Sequence, residues 1–384
     1  MKKALHYIYR YNSSGGGMPS FVDDIATDEM IIAVESDRID TRLKKVNLEG
    51  DSINRKDFLS VVNFENPEII ILHTLKHINV SLLDELKALN HKVILIVHDY
   101  YPICEKEVLI NNRKQICAGP YSKNCLYCYY DKYSLIIPIT RQIRDFLKPL
   151  LSLFLRRTHW YETRLGIHRE MMKKIDMVVF PSEKAKMVMM RFLDPSTKTA
   201  VIKHFQRQIS CRREKQDLCE FAFIGHESYH KGFDVLKKAV AGTKYQELKV
   251  HLFGDFKKHS KIKSFTNEGT FENRNISSAM MKFDALIFPS VWPETSGRVL
   301  TEAAACGKYI IASNITPAGE ILKGYEGLIL FENNEPAMLL AAMEKLYSSW
   351  KKKDYPLKPY RLKSVAEYRT EVFKKIEENE NGKD

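Results

Sequence analysis

With 384 residues, 44% hydrophobic and 28% charged, the sequence has the length of two ordinary domains and the make-up of a globular protein. Its formal net charge of +12 is concentrated, with 18 Lys and Arg against 7 Asp and Glu in residues 134–215, a field that attracts anions such as nucleotides or phospholipid head groups. No apolar run reaches about 18 residues and MKKALHYIYRY is not a secretory leader, so a cytoplasmic protein is expected, its seven cysteines reduced or metal-bound.

The first half alternates short apolar runs with helical patterns. ALHYIYRY (4–11) precedes a Gly-rich turn. MIIAVES (30–36), EIIILHTL (68–75) and KVILIVHDY (92–100) read as strands, with SLLDELKALNH (81–91) as a helix. DMVVFPS (176–182) and KTAVIKHF (198–205) close this half. The pattern then restarts. CEFAFIGH (219–226), KVHLFGD (249–255), DALIFPS (284–290), YIIASN (309–314) and GLILF (327–331) read as strands. GFDVLKKAVAGT (232–243), ISSAMMKF (276–283), SGRVLTEAAACG (296–307) and EPAMLLAAMEKLYSSW (335–350) read as helices. Continuous apolar strands between helices predict parallel sheets covered on both faces. The expected architecture is α/β, with two doubly wound domains, 1–205 and 206–355, facing across a cleft. Residues 206–218 would be the linker, and a last helix within about 360–384 would return to the first domain. Ligands of such sheets bind beyond the carboxyl ends of the strands.

The stretch PETSGRVLTEAAACG (293–307) sets Glu294 before a Ser-Gly step and Glu302 eight positions later. If the helix starts near Ser296, the N–H groups of Gly297, Arg298 and Val299 point out of its start and form a phosphate site. Gly297 has no side chain to hinder close approach. Glu302 lies roughly 7.5 Å further along the axis. A carboxylate only accepts hydrogen bonds, which suits paired ribose hydroxyls. Glu294 is placed for hydroxyls of the group on the distal phosphate. The plainer reading is that Glu294 caps the helix and Glu302 is a surface residue. In IGHESYHKGFDVL (224–236), Lys231 stands at a helix start, where a cation is unfavourable unless an anion is bound.

The run FDALIFPSVWPETSGRVLTEAAACGKYIIASNITPAGEIL (283–322) resembles the donor-binding signature of family-4 retaining glycosyltransferases, which have the GT-B architecture. Glu294 and Glu302 resemble the family's glutamate pair, and Lys231 its diphosphate-binding lysine. Gly15, Gly16 and Gly17 are similar to the Gly-rich loop after the first strand, and HDYYP (98–102) to a His-containing loop of the acceptor domain. The resemblance implies transfer of a sugar from a nucleotide-diphosphate sugar to a hydroxyl of a glycan or polyprenol-linked acceptor, with retained configuration, in surface polysaccharide (lipopolysaccharide or capsule) biosynthesis. Implied catalytic residues are Glu294, His98 and Lys231. Implied donor contacts are Gly16, Gly17, His226, Lys231, Glu294, Ser296, Gly297, Arg298, Val299 and Glu302. No metal or other cofactor is implied for catalysis. Asp99 is a further candidate in the acceptor domain. Where the family often has arginine, this sequence has His226, a single donor without a fixed charge. If His226 touches phosphate, donor affinity falls as pH rises from 6 to 8.

Cys104, Cys117, Cys125 and Cys128 cluster in CEKEVLINNRKQICAGPYSKNCLYC, and four thiolates would make a structural zinc site. Reduced structural thiols are the alternative. LIIPITRQIRDFLKPLLSLFLRR (135–157) is basic and amphipathic, suited to peripheral contact with a membrane, or else to packing on the first sheet. A nucleotide-sugar epimerase and a non-catalytic partner subunit that binds nucleotide sugars are competing classes. No nucleic-acid motif is present, so no nucleic-acid partner is expected.

Overall fold

The computed structural model describes residues 3–12, 17–38, 40–111, 113–119, 125, 128, 160–207, 209, 211, 213–256, 262–271 and 275–380. Gly16 and the amphipathic stretch 135–157 lie outside the described residues. The chain divides into two compact units, one of residues 1–202 with 372–384 and one of residues 203–371.

The first unit contains β1 (Ala4–Arg10), α1 (Gly17–Ala26), β2 (Met30–Glu35), β3 (Leu43–Lys45), β4 (Leu48–Glu49), β5 (Ser52–Ile53), α2 (Arg55–Glu65), β6 (Ile69–Leu72), α3 (Val80–Ala88), β7 (Lys92–Ile96), α4 (Trp160–Lys174), β8 (Met177–Phe180), α5 (Glu183–Met190) and β9 (Thr199–Val201). Seven of its described strands form one parallel sheet in the order β3-β2-β1-β6-β7-β8-β9, while β4 and β5 pair as a small antiparallel hairpin. The strands IIIL of β6 and MVVF of β8 are buried throughout. Such uniformly apolar, β-branched segments suit a sheet with no solvent face. Asn54, Asn79 and Ser182 start α2, α3 and α5, each side chain accepting from a backbone N–H three residues on. Ile8, Tyr11, Val22, Ala26, Ile31 and Ala33 form a core cluster that fixes α1 against β1 and β2.

The second unit contains β10 (Phe221–Ile224), α6 (Phe233–Ala241), β11 (Val250–Phe253), β12 (Phe265–Gly269), α7 (Ile276–Met280), β13 (Ala285–Phe288), α8 (Arg298–Ala305), β14 (Tyr309–Ser313), α9 (Ala318–Ile321), β15 (Leu328–Phe331) and α10 (Pro336–Ser349). Its described sheet is parallel, in the order β12-β11-β10-β13-β14-β15. The apolar stripe of α6 buries Phe233, Val235, Leu236, Ala239 and Val240. Phe233 meets Phe223, Phe256 and Phe265 at ring-centroid distances of 5.6, 4.9 and 6.0 Å. Each such aromatic contributes about 1.5–3 kcal/mol by burial. The last helix, α11 (Val365–Glu380), packs Tyr368 edge-on against Phe205.

In both sheets the strand order reverses beside the first strand of the unit, between β1 and β6 and between β10 and β13. These are topological switch points, where connections diverge and leave a crevice at the carboxyl ends of the strands. Every strand predicted from the apolar runs is present. The polar edge strands β3 (LKK) and β12 (FTNEG) are additional, because a strand with one unpaired edge needs no apolar pattern.

Two expectations are corrected. Helix α8 starts at Arg298 rather than near Ser296, because Gly297 has φ 134° and stands outside helical geometry as the N-cap. Cysteine pairing also differs: Cys211 and Cys306 are joined as a disulfide. The segment ahead of β10 passes the end of α8, bringing the two Cα atoms to 5.5 Å, a separation that suits a bridge.

Candidate functional site

The switch point of the second unit gathers residues from two loops. Gly225 and His226 follow β10, and the chain then turns through His230 and Lys231 into α6. Gly232 begins that helix at φ 73°, and a Cβ there would lie 1.8 Å from the Pro289 carbonyl oxygen. Only glycine lets the two loops approach so closely. The opposing loop, after β13, supplies Glu294. Its Oε1 accepts from Lys231 Nζ at 2.8 Å and from Ser290 Oγ at 2.7 Å. Glu294 is buried, whereas Lys231 keeps 27% of its side-chain exposure. The ammonium also sits 5.8 Å from the Trp292 ring centroid.

The carboxylate offsets the repulsion between Lys231 and the start of α6. It leaves two ammonium N–H groups for other acceptors. His230 packs edge-on against Trp292 at 6.1 Å. Burial lowers its proton affinity, the Lys231 charge lowers it further, and Glu294 acts in the opposite sense. His226 is exposed and close enough to His230 to add to that lowering.

The N-terminus of α8 lies in the chain just beyond Glu294. Gly297 brings no capping side chain, and a Cβ on it would fall 2.8 Å from Leu300 Cδ1. The leading helical N–H groups are therefore those of Arg298 and Val299, and Leu300 N–H turns back to Gly297 O at 3.0 Å. Ser296, Gly297, Arg298 and Val299 are all half-buried. The Arg298 guanidinium lies 5.7 Å from the Phe205 ring centroid. Glu302 stands one turn into α8 and is half-buried.

In the first unit, Gly17 is exposed at the start of α1. His98 follows β7 and is half-buried, with Phe21 of α1 edge-on to its ring at 4.9 Å. Its Nε2 lies 3.0 Å from His73 Nδ1, and His73 Nε2 lies 3.1 Å from His6 Nδ1. His6 Nε2 then meets Glu29 Oε2 at 3.0 Å. Asp99 accepts from the Tyr101 N–H at 2.8 Å, shaping the turn after His98. Arg164 of α4 holds that loop through Tyr101 O at 2.6 Å and Glu105 at 3.0 Å. The neighbouring His168 is pushed down to about 4 by burial, with the Arg164 charge adding to the effect.

An antiparallel bridge between Ile110 and Ile116 folds the segment that links Cys104 to Cys117. Burial raises the Cys104 thiol, and nearby Cys117 and Cys128 raise it further. Among the described residues no three His, Cys, Asp or Glu side chains are arranged to hold a metal ion. No helix among them is long and apolar enough to cross a membrane.

Sequence reasoning missed His230, Ser290 and Trp292 around Glu294, and Glu29, His6 and His73 behind His98. The one signal for the last two was a histidine inside or ending an otherwise apolar strand, in ALHYIYR and IIILH.

Residues 205–358 match the family of glycosyl transferases group 1. Over 122 residues, 29% of this chain and 34% of the relative, the sequence is 32% identical to an uncharacterized glycosyltransferase of Methanocaldococcus jannaschii. Over 289 residues, 72% of this chain and 65% of the relative, it is 22% identical to an uncharacterized 42.6 kDa protein in the cps region of Klebsiella pneumoniae. The chain thus spans about a third and about two thirds of the lengths of these curated relatives. Anabaena HepE in complex with UDP and glucose is similar in structure, with a TM-score of 0.68 at 14% identity, covering 98% of this chain and 100% of that one. That likeness is one of fold, the GT-B fold of two parallel-sheet α/β domains.

Proposed function

We propose that this chain, whose residues 205–358 match the glycosyl transferases group 1, is a glycosyltransferase using a nucleotide-diphosphate sugar. The observation that carries the reading is Lys231 held by buried Glu294 at the switch point, in sequence just ahead of the glycine-capped start of α8. Lys231 and the N–H groups of Arg298 and Val299 would bind the diphosphate, and Glu302 would accept from the ribose hydroxyls. Glu294 would accept from the sugar, and His98 would meet the sugar or the acceptor. His226 would be a further phosphate contact. Gly17, with Gly16 before it, would border the donor.

In the proposed step, the bond from the anomeric carbon to the diphosphate oxygen breaks. The acceptor hydroxyl forms the new bond on the same face, and its proton goes to the departing phosphate oxygen. Retention of configuration follows from that geometry. Lys231 and the α8 N–H groups would stabilise the charge that develops on the leaving group. The UDP and glucose bound by HepE support a uridine-diphosphate hexose as the first donor to try. The cps-region relative supports a glycan or lipid-linked acceptor in surface polysaccharide assembly. Residues 135–157 would provide a peripheral membrane contact, tested by binding to anionic vesicles at low salt.

The deciding experiment is a thermal-shift panel of nucleotide-diphosphate sugars with Glu302→Ala beside the wild type. A ligand at 100 times its dissociation constant adds about 2.7 kcal/mol. Stabilisation by one nucleotide class, lost in Glu302→Ala, supports the donor site, and NMR of the transferred product then reports the anomeric configuration. No shift with any nucleotide would sink this reading.

A further inference from the structure

A buried row of imidazoles runs behind His98. His6 lies within β1, His73 directly follows β6, and His98 follows β7. These are neighbouring parallel strands, with His6 in register with Ile71 and Ile71 with Ile94. Each histidine therefore stands two residues further toward the carboxyl end than the register partner of the one before. A step of two keeps side chains on one face of a sheet. The rings form a diagonal staircase, with centroids 5.4 and 5.2 Å apart, that rises from inside the sheet to its carboxyl edge. His6 and His73 are completely or almost completely buried, and Phe21 covers His73 and His98 edge-on.

The foot of the staircase sets its direction. Glu29 Oε1 accepts from the Ala4 backbone N–H at 3.0 Å, and Oε2 faces His6 Nε2 at 3.0 Å. An ionised carboxylate only accepts, so His6 donates from Nε2. A neutral imidazole has one donor and one acceptor nitrogen, so His6 Nδ1 accepts from His73 Nε2. By the same rule His73 Nδ1 accepts from His98 Nε2. One carboxylate thereby orders three rings, and the lone pair of His98 falls on Nδ1.

We propose that Glu29, His6 and His73 are positioning residues that fix His98 in its Nε2–H tautomer, so that His98 accepts a hydrogen bond from a substrate hydroxyl at Nδ1. This rests on the glycosyltransferase reading for the hydroxyl, whereas the tautomer follows from the row itself. Neutral members avoid the cost of a buried charge, and a fixed ring orientation spares the substrate from ordering it.

The experiment is NMR of the full chain labelled with 15N-histidine at pH 8, with the His98 signals assigned by their loss in His98→Gln. The expected result is a single Nε2–H tautomer in the wild type and mixed tautomers in His73→Phe and Glu29→Gln. In transfer assays both variants are expected to lose about tenfold or more in kcat while donor KM changes less than threefold. A wild-type Nδ1–H tautomer, or an unchanged His98 signal in both variants, overturns the proposal. The wild-type spectrum decides even where a variant fails to fold. If the wild type transfers no sugar, the functional reading fails, and the spectra still decide the row.

Discussion

The two switch points solve one problem with opposite chemistry. In the second unit a charged pair, Lys231 and Glu294, meets across two loops, with the lysine still reaching solvent. In the first unit three imidazoles and one carboxylate are linked across neighbouring strands, largely sealed under α1. A charged, partly open pair suits an anion that must enter and leave. A buried row directed by one carboxylate suits holding a single ring in one orientation. Similar parallel sheets can thus present either a binding charge or a fixed hydrogen-bonding direction at the same topological place.

The largest effects should come from breaking the charged side. Lys231→Ala removes the ammonium that would hold the leaving diphosphate, and kcat/KM is expected to fall about 100- to 1000-fold, in line with loss of one charge-stabilising donor. It also leaves Glu294 buried with Ser290 as its one side-chain donor among the described residues, so the melting temperature should fall as well. Lys231→Ala with near wild-type turnover would remove the pair from the mechanism.

The next effect separates the units by pH. His168 in the first unit is held down to about 4, against an ordinary value of 6.5. The folded chain therefore binds fewer protons than the unfolded chain between these values. The stability contribution is fully present above about pH 6.5 and is lost as pH falls to about 4, a change of about 3 kcal/mol. Urea unfolding from pH 7 to 4 should show that loss, and His168→Leu should flatten it. An unaltered slope in His168→Leu would assign the acid sensitivity elsewhere.

A smaller effect tests the start of α8. At φ 134° any side chain is strained, and a Cβ there meets Leu300. Gly297→Ala is expected to cost about 1–3 kcal/mol and to weaken nucleotide binding with it. Stability within 0.5 kcal/mol of wild type, by the ordinary scatter of surface changes of about that size, would show that the loop relaxes freely.

The difference between the two regions also explains what could be read from the sequence. Both sheets were legible because runs such as IIIL in the first and ALIF in the second are apolar without alternation. The edge strands LKK and FTNEG carry no such signal. Glu294, Gly297 and Glu302 stand within nine consecutive residues, so one turn and one helix bring them into order. Glu29, His6, His73 and His98 are scattered over 93 positions, and their meeting depends on strand register, which local pattern does not encode. His230 was hidden for the same reason, since it joins Trp292 only once two loops converge, whereas Ser290 meets Glu294 within one loop, four residues away. The bond between Cys211 and Cys306 likewise spans 95 positions.

The smallest effect sharpens the charged side by asking which histidine senses the donor. His226 is exposed, whereas His230 is half-buried beside Lys231 and has a lowered proton affinity. A diphosphate bound at Lys231 as proposed would add negative charge near this group and draw its proton affinity back up. Binding then takes up protons, so donor affinity should rise as pH falls below 6.5 and should be flat above it. The size of the gain reports how far binding restores the proton affinity of His230, about tenfold for each pKa unit. Titration calorimetry of wild type, His226→Ala and His230→Gln with a nucleotide diphosphate distinguishes the two histidines. Loss of the slope in His230→Gln alone assigns the sensing to the ring beside Lys231. Loss in His226→Ala alone returns it to the exposed residue, and a flat wild-type profile would mean that neither imidazole approaches the phosphate.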